Sequence, residues 1–319
     1  MVRKSVSLVT GAAGFIGSHL SARLLAEGDE VHVLVRPTTS LARLSAIAGN
    51  LTIHTSDLRD REATRAQIAA IAPERVFHLA AETRLPPEPS FERARAAIAF
   101  YIEPTLNLVE ALADLSAPPS VVVRTGTIAE YGDADLPYGE ASRPHPLSPY
   151  GAGMLATAQY LAMLAPTVPF PVITARLALC YGPGQSREFL VPALIDAAIT
   201  GRPITVRRPG DRRDLLHVAD VVDALLQIAE LASGDCTLVN VASGEAPTMG
   251  EVADRIVAMT GCDPALVTRL DPLPGDSPVE MRSTTERARV RFGWERRIGL
   301  EEGLRQTIAA EQLMRSMAG

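Results

Sequence analysis

At 319 residues the chain is long enough for one large α/β domain with an appended lobe, or for two domains, so a sizeable core is expected. A net charge of -6 with scattered arginines offers no basic field to a polyanion and argues against nucleic acid as a partner. Cys180, Cys236 and Cys262 are far apart and in no Cys-x-x-Cys pair, which fits reduced thiols in a cytoplasm and gives no reason to expect a disulfide or a metal. The first residues leave no room for a signal peptide and no apolar run reaches membrane-spanning length, so no membrane association is expected.

Val6–Thr10 reads as a short β-strand, and Gly11-Ala12-Ala13-Gly14-Phe15-Ile16-Gly17 follows it directly, opening a helical pattern from Ser18 to Glu27. Strand, glycine loop and helix in this order predict a dinucleotide site, the alternative being a structural strand-to-helix turn. Gly11 suits the tight turn, Gly14 lets backbone approach a pyrophosphate, and Gly17 lets the helix pack closely on the strand, with free N–H groups and the helix dipole facing the phosphates. The second strand, Val31–Val35, ends at Arg36, where an NAD site carries an acidic residue. With Thr38, Thr39 and Ser40 beside it, Arg36 can hold a 2′-phosphate and tilts toward NADP, unless it stacks on adenine or lies in solvent. Asp57, after a third apolar run, reads on its own as a helix N-cap.

Arg75–Ala81 predicts a buried strand ending in small residues that let a cofactor lie against it, with His78 a packed strand residue. Leu85–Pro89 is a loop and Phe91–Leu115 a long helix. The strand Ser120–Thr127 delivers the Thr127 hydroxyl; Ile128 and Ala129 follow, and the first carboxylate is Glu130, which alternation turns away from the Thr127 face unless the strand ends there. Ser148-Pro149-Tyr150-Gly151-Ala152-Gly153-Met154 leads from a loop into a helix at Gly153–Leu164, and Pro169–Leu177 is another strand. From Phe189 the chain leaves for a lobe. Arg213 there can make paired bonds to phosphate oxygens or an ion pair with Asp211 or Asp214. The strand Thr237–Val241 returns to the main sheet. The expected architecture is α/β, a doubly wound parallel sheet with a smaller, interleaved α/β lobe: a dinucleotide-binding domain at 1–177, completed by 212–241, and a substrate-binding lobe at 178–319, chiefly 178–211 and 242–319.

The glycine loop, His78-Leu79-Ala80-Ala81, Thr127 placed by Tyr131-Gly132, Ser148-Pro149-Tyr150-Gly151-Ala152, Tyr181-Gly182-Pro183-Gly184 and Arg213-Asp214-Leu215-Leu216-His217-Val218-Ala219-Asp220 resemble the extended short-chain dehydrogenase/reductases that modify nucleotide-diphosphate sugars. The resemblance runs to Trp294, nearly the whole chain. It implies a Rossmann-type fold, a UDP-sugar substrate and a homodimer built through helices at 91–115 and 150–164. It implies cofactor contacts from Gly11, Ala13, Gly14, Phe15, Ile16, Gly17, Arg36, Asp57, Leu58, Leu79, Ala80, Ala81 and Tyr150, with Asp57 on the adenine edge. Tyr150 is the implied acid/base, assisted by Thr127, and substrate contacts are implied for Glu82, Thr127, Tyr150, Leu179, Val206, Arg213 and Arg282.

The departures from the family pattern carry as much information. Met154 stands where the family has its catalytic lysine, and the chain's one lysine, Lys4, is remote, so no lysine can stand in. Ile128 and Ala129 occupy the positions of the Asp-Glu pair of 4,6-dehydratases, leaving Glu130 as a displaced acid/base or a rim residue. Tyr101 and Leu179 replace asparagines, and Leu273, before Pro274-Gly275-Asp276, replaces an arginine whose charge Arg282 can supply. Cys180 is a weak candidate reagent, since a lone cysteine is more often a small buried hydrophobe.

With its Tyr-x-x-x-Met motif the chain is most similar to the UDP-N-acetylglucosamine 5,6-dehydratases of tunicamycin biosynthesis, which implies C4 oxidation, loss of water across C5–C6 and return of hydride to C4. A tyrosine of pKa near 10 is only roughly 0.1% ionised at pH 7, so its use as phenolate costs about 4 kcal/mol. The oxidised nicotinamide is then the expected nearby cation, which favours a redox-neutral cycle on a resident NAD over NADP. A 4-epimerase, a ketoreductase and a non-catalytic dinucleotide-binding protein remain the alternatives.

Overall fold

Short runs of β-branched and apolar residues fold as the strands of a computed structural model that describes residues 5–83, 85–271 and 277–318. In chain order the first strands are β1 (Val6–Thr10), β2 (Glu30–Val35), β3 (Thr52–Thr55), β4 (Arg75–His78), β5 (Val121–Thr127) and β6 (Val172–Leu177). Helices α1 (Phe15–Glu27), α2 (Arg61–Ile71), α3 (Phe91–Ala97), α4 (Glu103–Ala113) and α5 (Pro149–Leu164) connect them. The later chain supplies β7 (Leu179–Tyr181), α6 (Leu190–Thr200), β8 (Ile204–Val206), β9 (Arg212–Arg213), β10 (Leu215–His217), α7 (Val218–Glu230) and β11 (Leu238–Val241). It ends with α8 (Met249–Thr260), β12 (Val267–Arg269), β13 (Glu280–Met281), α9 (Glu286–Phe292) and α10 (Leu300–Ala318).

The main sheet has the order β3-β2-β1-β4-β5-β6-β11. Every pairing in it is parallel. Helices cover both faces, which is why its central strands are apolar on both sides rather than alternating. Val9, Val121 and Val123 pack toward Leu20 and Leu24 of α1 and Val221 and Leu225 of α7. Leu8, Val76 and Val122 pack toward Ile68 of α2, Leu108 and Leu112 of α4 and Leu161 of α5. Strand order reverses between β1 and β4, and ligands of such sheets sit in the crevice beyond the strand ends at that reversal.

Three small parallel pairs, β7 with β10, β8 with β12 and β9 with β13, form the lobe with α6, α8 and α10. Its own core includes Leu194, Val252, Ile256 and Leu304. The family-type Pro274-Gly275-Asp276 with Leu273, and Lys4, lie outside the described residues.

Three local expectations change. Helix α5 begins at Pro149, not Gly153, because the Ser148 hydroxyl caps it by accepting the Gly151 N–H at 3.1 Å, so Tyr150 lies in the first turn rather than in a loop. The long helix is interrupted by a π-helical stretch at Ile98–Ile102 between α3 and α4. The combined run Phe91–Ala113 is also long and apolar enough to cross a membrane by length and composition, contrary to the expectation. Arg93, Arg95 and Glu103 break its apolar runs in the sequence, and Leu108 and Leu112 are fully buried in the sheet core, as in the core helix of a globular domain.

Candidate active site

The cofactor end is built by backbone that only glycine permits. Gly11 has φ +74°, and a Cβ there would lie 2.6 Å from the Leu79 carbonyl carbon and 2.7 Å from the Ala80 nitrogen. At Gly17 a Cβ would lie 2.2 Å from the Gly11 carbonyl oxygen. The loop after β1 therefore lies directly against the small residues after β4, at the reversal of strand order. Gly14 occupies the N-cap of α1 with no side-chain cap, which leaves first-turn N–H groups for an anion. This cradle fits a dinucleotide diphosphate. Gly17→Ala is expected to destabilise the protein by roughly 1–3 kcal/mol and to remove the rise in thermal midpoint that NAD gives the wild type, read by thermal unfolding with and without NAD.

At the adenosine end, Arg36 is exposed just past β2. Asp57 is not a helix N-cap. Asp60 caps α2 by accepting the Ala63 N–H at 3.0 Å, whereas Asp57 receives the Arg59 guanidinium at 2.5 and 3.0 Å, which holds its pKa below the usual carboxylate range. Leu58 points into the sheet core, and its carbonyl accepts Asn107 Nδ2 at 2.9 Å.

The inner wall of the crevice carries His78, buried between Thr10 (Nδ1 to Oγ1, 2.7 Å) and Thr105 (Nε2 to Oγ1, 2.9 Å). The Thr105 hydroxyl donates to the Tyr101 carbonyl, so it accepts from Nε2–H, and Thr10 donates to Nδ1. Burial, with Arg124 beside it, pushes the His78 pKa down to about 3. His78 is thus a neutral strut rather than an acid or base. The unfolded chain binds a proton below pH 6.5 that the native state refuses until about pH 3, so stability is full above 6.5 and falls as pH drops through that window, by up to roughly 4 kcal/mol. His217, pushed down to about 4 by burial, acts in the same sense. Urea unfolding at pH 7 and pH 4.5 should show this loss, and His78→Gln should flatten it.

Tyr150 projects from the first turn of α5 into a small apolar cluster with Ala97, Tyr101 and Met154. Its ring meets Tyr101 edge-on at 5.7 Å, and the Tyr101 hydroxyl donates to the Glu82 carbonyl. Gly153 makes this possible, since a Cβ there would lie 2.5 Å from Tyr101 Cδ2. Burial pushes the Tyr150 phenol up to about 12, while the Thr127 hydroxyl and the Arg124 charge pull it down. Forming the phenolate at pH 7 therefore costs roughly 7 kcal/mol in this environment. Thr127 ends β5 and accepts the Ala129 N–H at 3.2 Å, turning its hydroxyl toward Tyr150.

Glu130 does not serve as a displaced acid/base. The strand ends at Thr127, and residues 128–130 fold back in a 3-10 turn. The carboxylate is 0% exposed: Oε1 accepts the Thr127 N–H at 2.9 Å and Oε2 accepts Arg176 Nε at 2.6 Å. Gly126 leaves the space it fills, a Cβ there lying 2.6 Å from Oε1. Arg176 also lies 4.4 Å over the Tyr131 ring.

The sequence reading missed a cation. Arg124 of β5, 2% exposed, places Nη2 3.3 Å from both the carbonyl oxygen and Sδ of Met154. The signal available was a single charged residue ending the apolar run Val121-Val122-Val123 of a buried strand.

On the lobe side, Leu179 is 37% exposed at the mouth of β7. The Cys180 thiol is pushed far up by burial and packs against the main core, so it is no reagent. Val206 is buried in the lobe core and its carbonyl accepts the Leu270 N–H, so its side chain cannot meet a substrate. Arg213 is largely committed inside the protein: Nη1 donates to the carbonyls of Arg212 (2.9 Å) and Val279 (2.6 Å), and Nη2 to Asp211 at 2.7 Å. Among the described residues, Nε–H and one Nη2 proton are left. Asp214 instead accepts the N–H groups of Ser243, Gly244 and Ser283. Arg282 pairs with Glu280 at 2.8 Å. Glu82 is half-buried beside Tyr101, whose hydroxyl its own carbonyl holds.

Comparison with known proteins agrees with this geometry. Residues 7–242 match the NAD dependent epimerase/dehydratase family. The chain is 32% identical to the UDP-glucose 4-epimerase of Mycolicibacterium smegmatis over 95% of its own length and 97% of that protein. It is 27% identical to the dTDP-glucose 4,6-dehydratase of Haemophilus influenzae, covering 94% of this chain and 96% of that one. The crystal structure of Thermus thermophilus UDP-glucose 4-epimerase in complex with NAD superposes with a TM-score of 0.83 at 27% identity, covering 96% and 99% of the two chains.

Proposed function

Since the chain belongs to the NAD dependent epimerase/dehydratase family, we propose that it is a redox-neutral dehydratase of a nucleotide-diphosphate hexosamine, a UDP-N-acetylglucosamine 5,6-dehydratase that works through transient oxidation at C4. The observation that carries this reading is a half-buried Tyr150 beside Thr127 and a glycine cradle, with Met154 rather than a lysine one turn along α5.

Bound on Gly11, Gly14 and Gly17, NAD would supply the two-electron acceptor at C4 and return to the same carbon what it had taken. Tyr150 removes the C4 hydroxyl proton, and the Thr127 hydroxyl donates a hydrogen bond to that oxygen. The transient C4 ketone acidifies the C5 proton, so elimination needs a base near C5 and a proton for the C6 hydroxyl. One carboxylate can take the C5 proton and pass it to that hydroxyl, which leaves as water, before hydride returns to C4 and Tyr150 gives its proton back to the C4 oxygen. Glu130 is locked away, and Glu82, whose backbone carbonyl accepts the Tyr101 hydroxyl, is our candidate for that carboxylate. The remaining donors of Arg213 suit a diphosphate oxygen, and the partly exposed Leu179 borders the same mouth.

A second reading, 4-epimerisation, is favoured by the burial of Glu130 and needs no base at C5. The likeness to the Mycolicibacterium smegmatis 4-epimerase supports it. Incubation of the purified protein with UDP-N-acetylglucosamine, followed by mass spectrometry and NMR, separates the two. Loss of one water with retained C4 configuration supports the dehydratase. An unchanged mass with inverted C4 sinks it in favour of the epimerase, and stoichiometric consumption of reduced cofactor would overturn both.

A further inference from the structure

We propose that Arg124, reaching across from β5, is the positioning residue that supplies Tyr150 with the cation its own helix lacks. Residues i and i+4 of a helix share a face, so Met154 occupies the place from which a basic side chain would reach the Tyr150 ring. A thioether carries no charge. The Arg124 guanidinium lies against that thioether, 3.3 Å from Sδ and 3.3 Å from the Met154 carbonyl. Its Cα partner on the neighbouring strand is His78, which is neutral at working pH, so His78 does not compete as the charged group.

The charge balance around this group is unusual. Arg124 and Arg176 are both buried beside one buried carboxylate, Glu130. Glu130 gives its oxygens to Arg176 and to the Thr127 N–H, and Arg124 Nη1 has no hydrogen-bond partner among the described residues. Two buried cations that share one carboxylate are expensive for a fold to keep. Arg124 is electrostatically coupled first to Glu130, which Arg176 also claims, and then to Tyr150, so ionisation of Tyr150 would supply the second counter-charge that two buried guanidiniums call for. Arginine suits the role because it stays protonated in an apolar site that would strip a proton from a lysine. Arg124 thereby acts through Tyr150 and not on the substrate.

The inference rests on Tyr150 being the acid/base of the proposed reaction, and its test reads Tyr150 directly as well as through turnover. In Arg124→Met the limb of the kcat–pH profile that reports Tyr150 should move to higher pH by roughly one to three units, with NAD affinity unchanged. The tyrosinate absorbance of Tyr150 without substrate, isolated by subtracting a matched Tyr150→Phe background, should shift the same way. Adding Met154→Lys to Arg124→Met should return both signals toward wild type. A folded Arg124→Met protein in which neither signal moves overturns the inference. Should that variant not fold, the Arg124→Met/Met154→Lys protein carries the test: a Tyr150 titration near the wild-type position supports a cation at this spot, and one displaced upward overturns it. Turnover that survives Tyr150→Phe would sink the functional reading, while the absorbance shift would still report on Arg124.

Discussion

Tyr150→Phe is expected to lower turnover by roughly 10²–10⁴-fold, the range for a lost general acid/base, while leaving NAD affinity and the unfolding midpoint close to wild type. The phenol is the group in this cluster positioned to exchange a proton with a sugar hydroxyl. The ring makes the apolar contacts to Tyr101 and Met154, so phenylalanine preserves the packing. Steady-state kinetics with NAD titration by calorimetry checks this. Unaltered turnover would favour a dinucleotide-binding protein without catalysis. The size of the expected effect follows from burial: with the phenol pushed up to about 12, the surroundings must offset several kcal/mol before it accepts a proton, and phenylalanine removes the acceptor altogether.

Glu130→Ala should be the most destabilising single change at the site, by about 3–5 kcal/mol, because it leaves two buried guanidinium groups with no carboxylate between them. It also frees the Thr127 N–H and empties the space left by Gly126. Urea unfolding measures the loss. Glu130→Ala/Arg176→Met should recover part of it, since removing both members of a buried pair costs less than removing one. A loss below about 1 kcal/mol for Glu130→Ala would mean that water reaches the pair.

Features set by near neighbours were legible in the sequence. The Val6–Thr10 strand, the Gly11–Gly17 loop and the α1 helix are contiguous, and their order alone specifies the cradle. The pairing of Thr127 with Tyr150 was legible because Tyr131-Gly132 and Ser148-Pro149 anchor them to a known pattern. What failed depended on distant partners. The role of Arg124 is set by Met154, 30 residues later. The Arg213 fork is partly taken by the Val279 carbonyl, 66 residues later. Val206 was assigned to a substrate before the lobe core that buries it could be seen. Glu130 is neither a displaced acid/base nor a rim residue, because Arg176, 46 residues later, holds it in a buried ion pair. Tyr101 looked like a lost asparagine, whereas its ring packs into the space that Gly153, without a side chain, leaves open.

The position of β11 has a consequence for how the polypeptide is made. Strand β6 is buried along its whole length, yet its outer neighbour is encoded only after the first part of the lobe, about sixty residues further along the chain. During synthesis the β6 edge stays open until Leu238–Val241 emerges, and an open apolar edge is a template for pairing with another chain. A fragment ending at residue 177 would carry that edge permanently. The first part of the lobe is thus inserted between two hydrogen-bonded strands of the main sheet, and a cut at residue 177 would part those two strands.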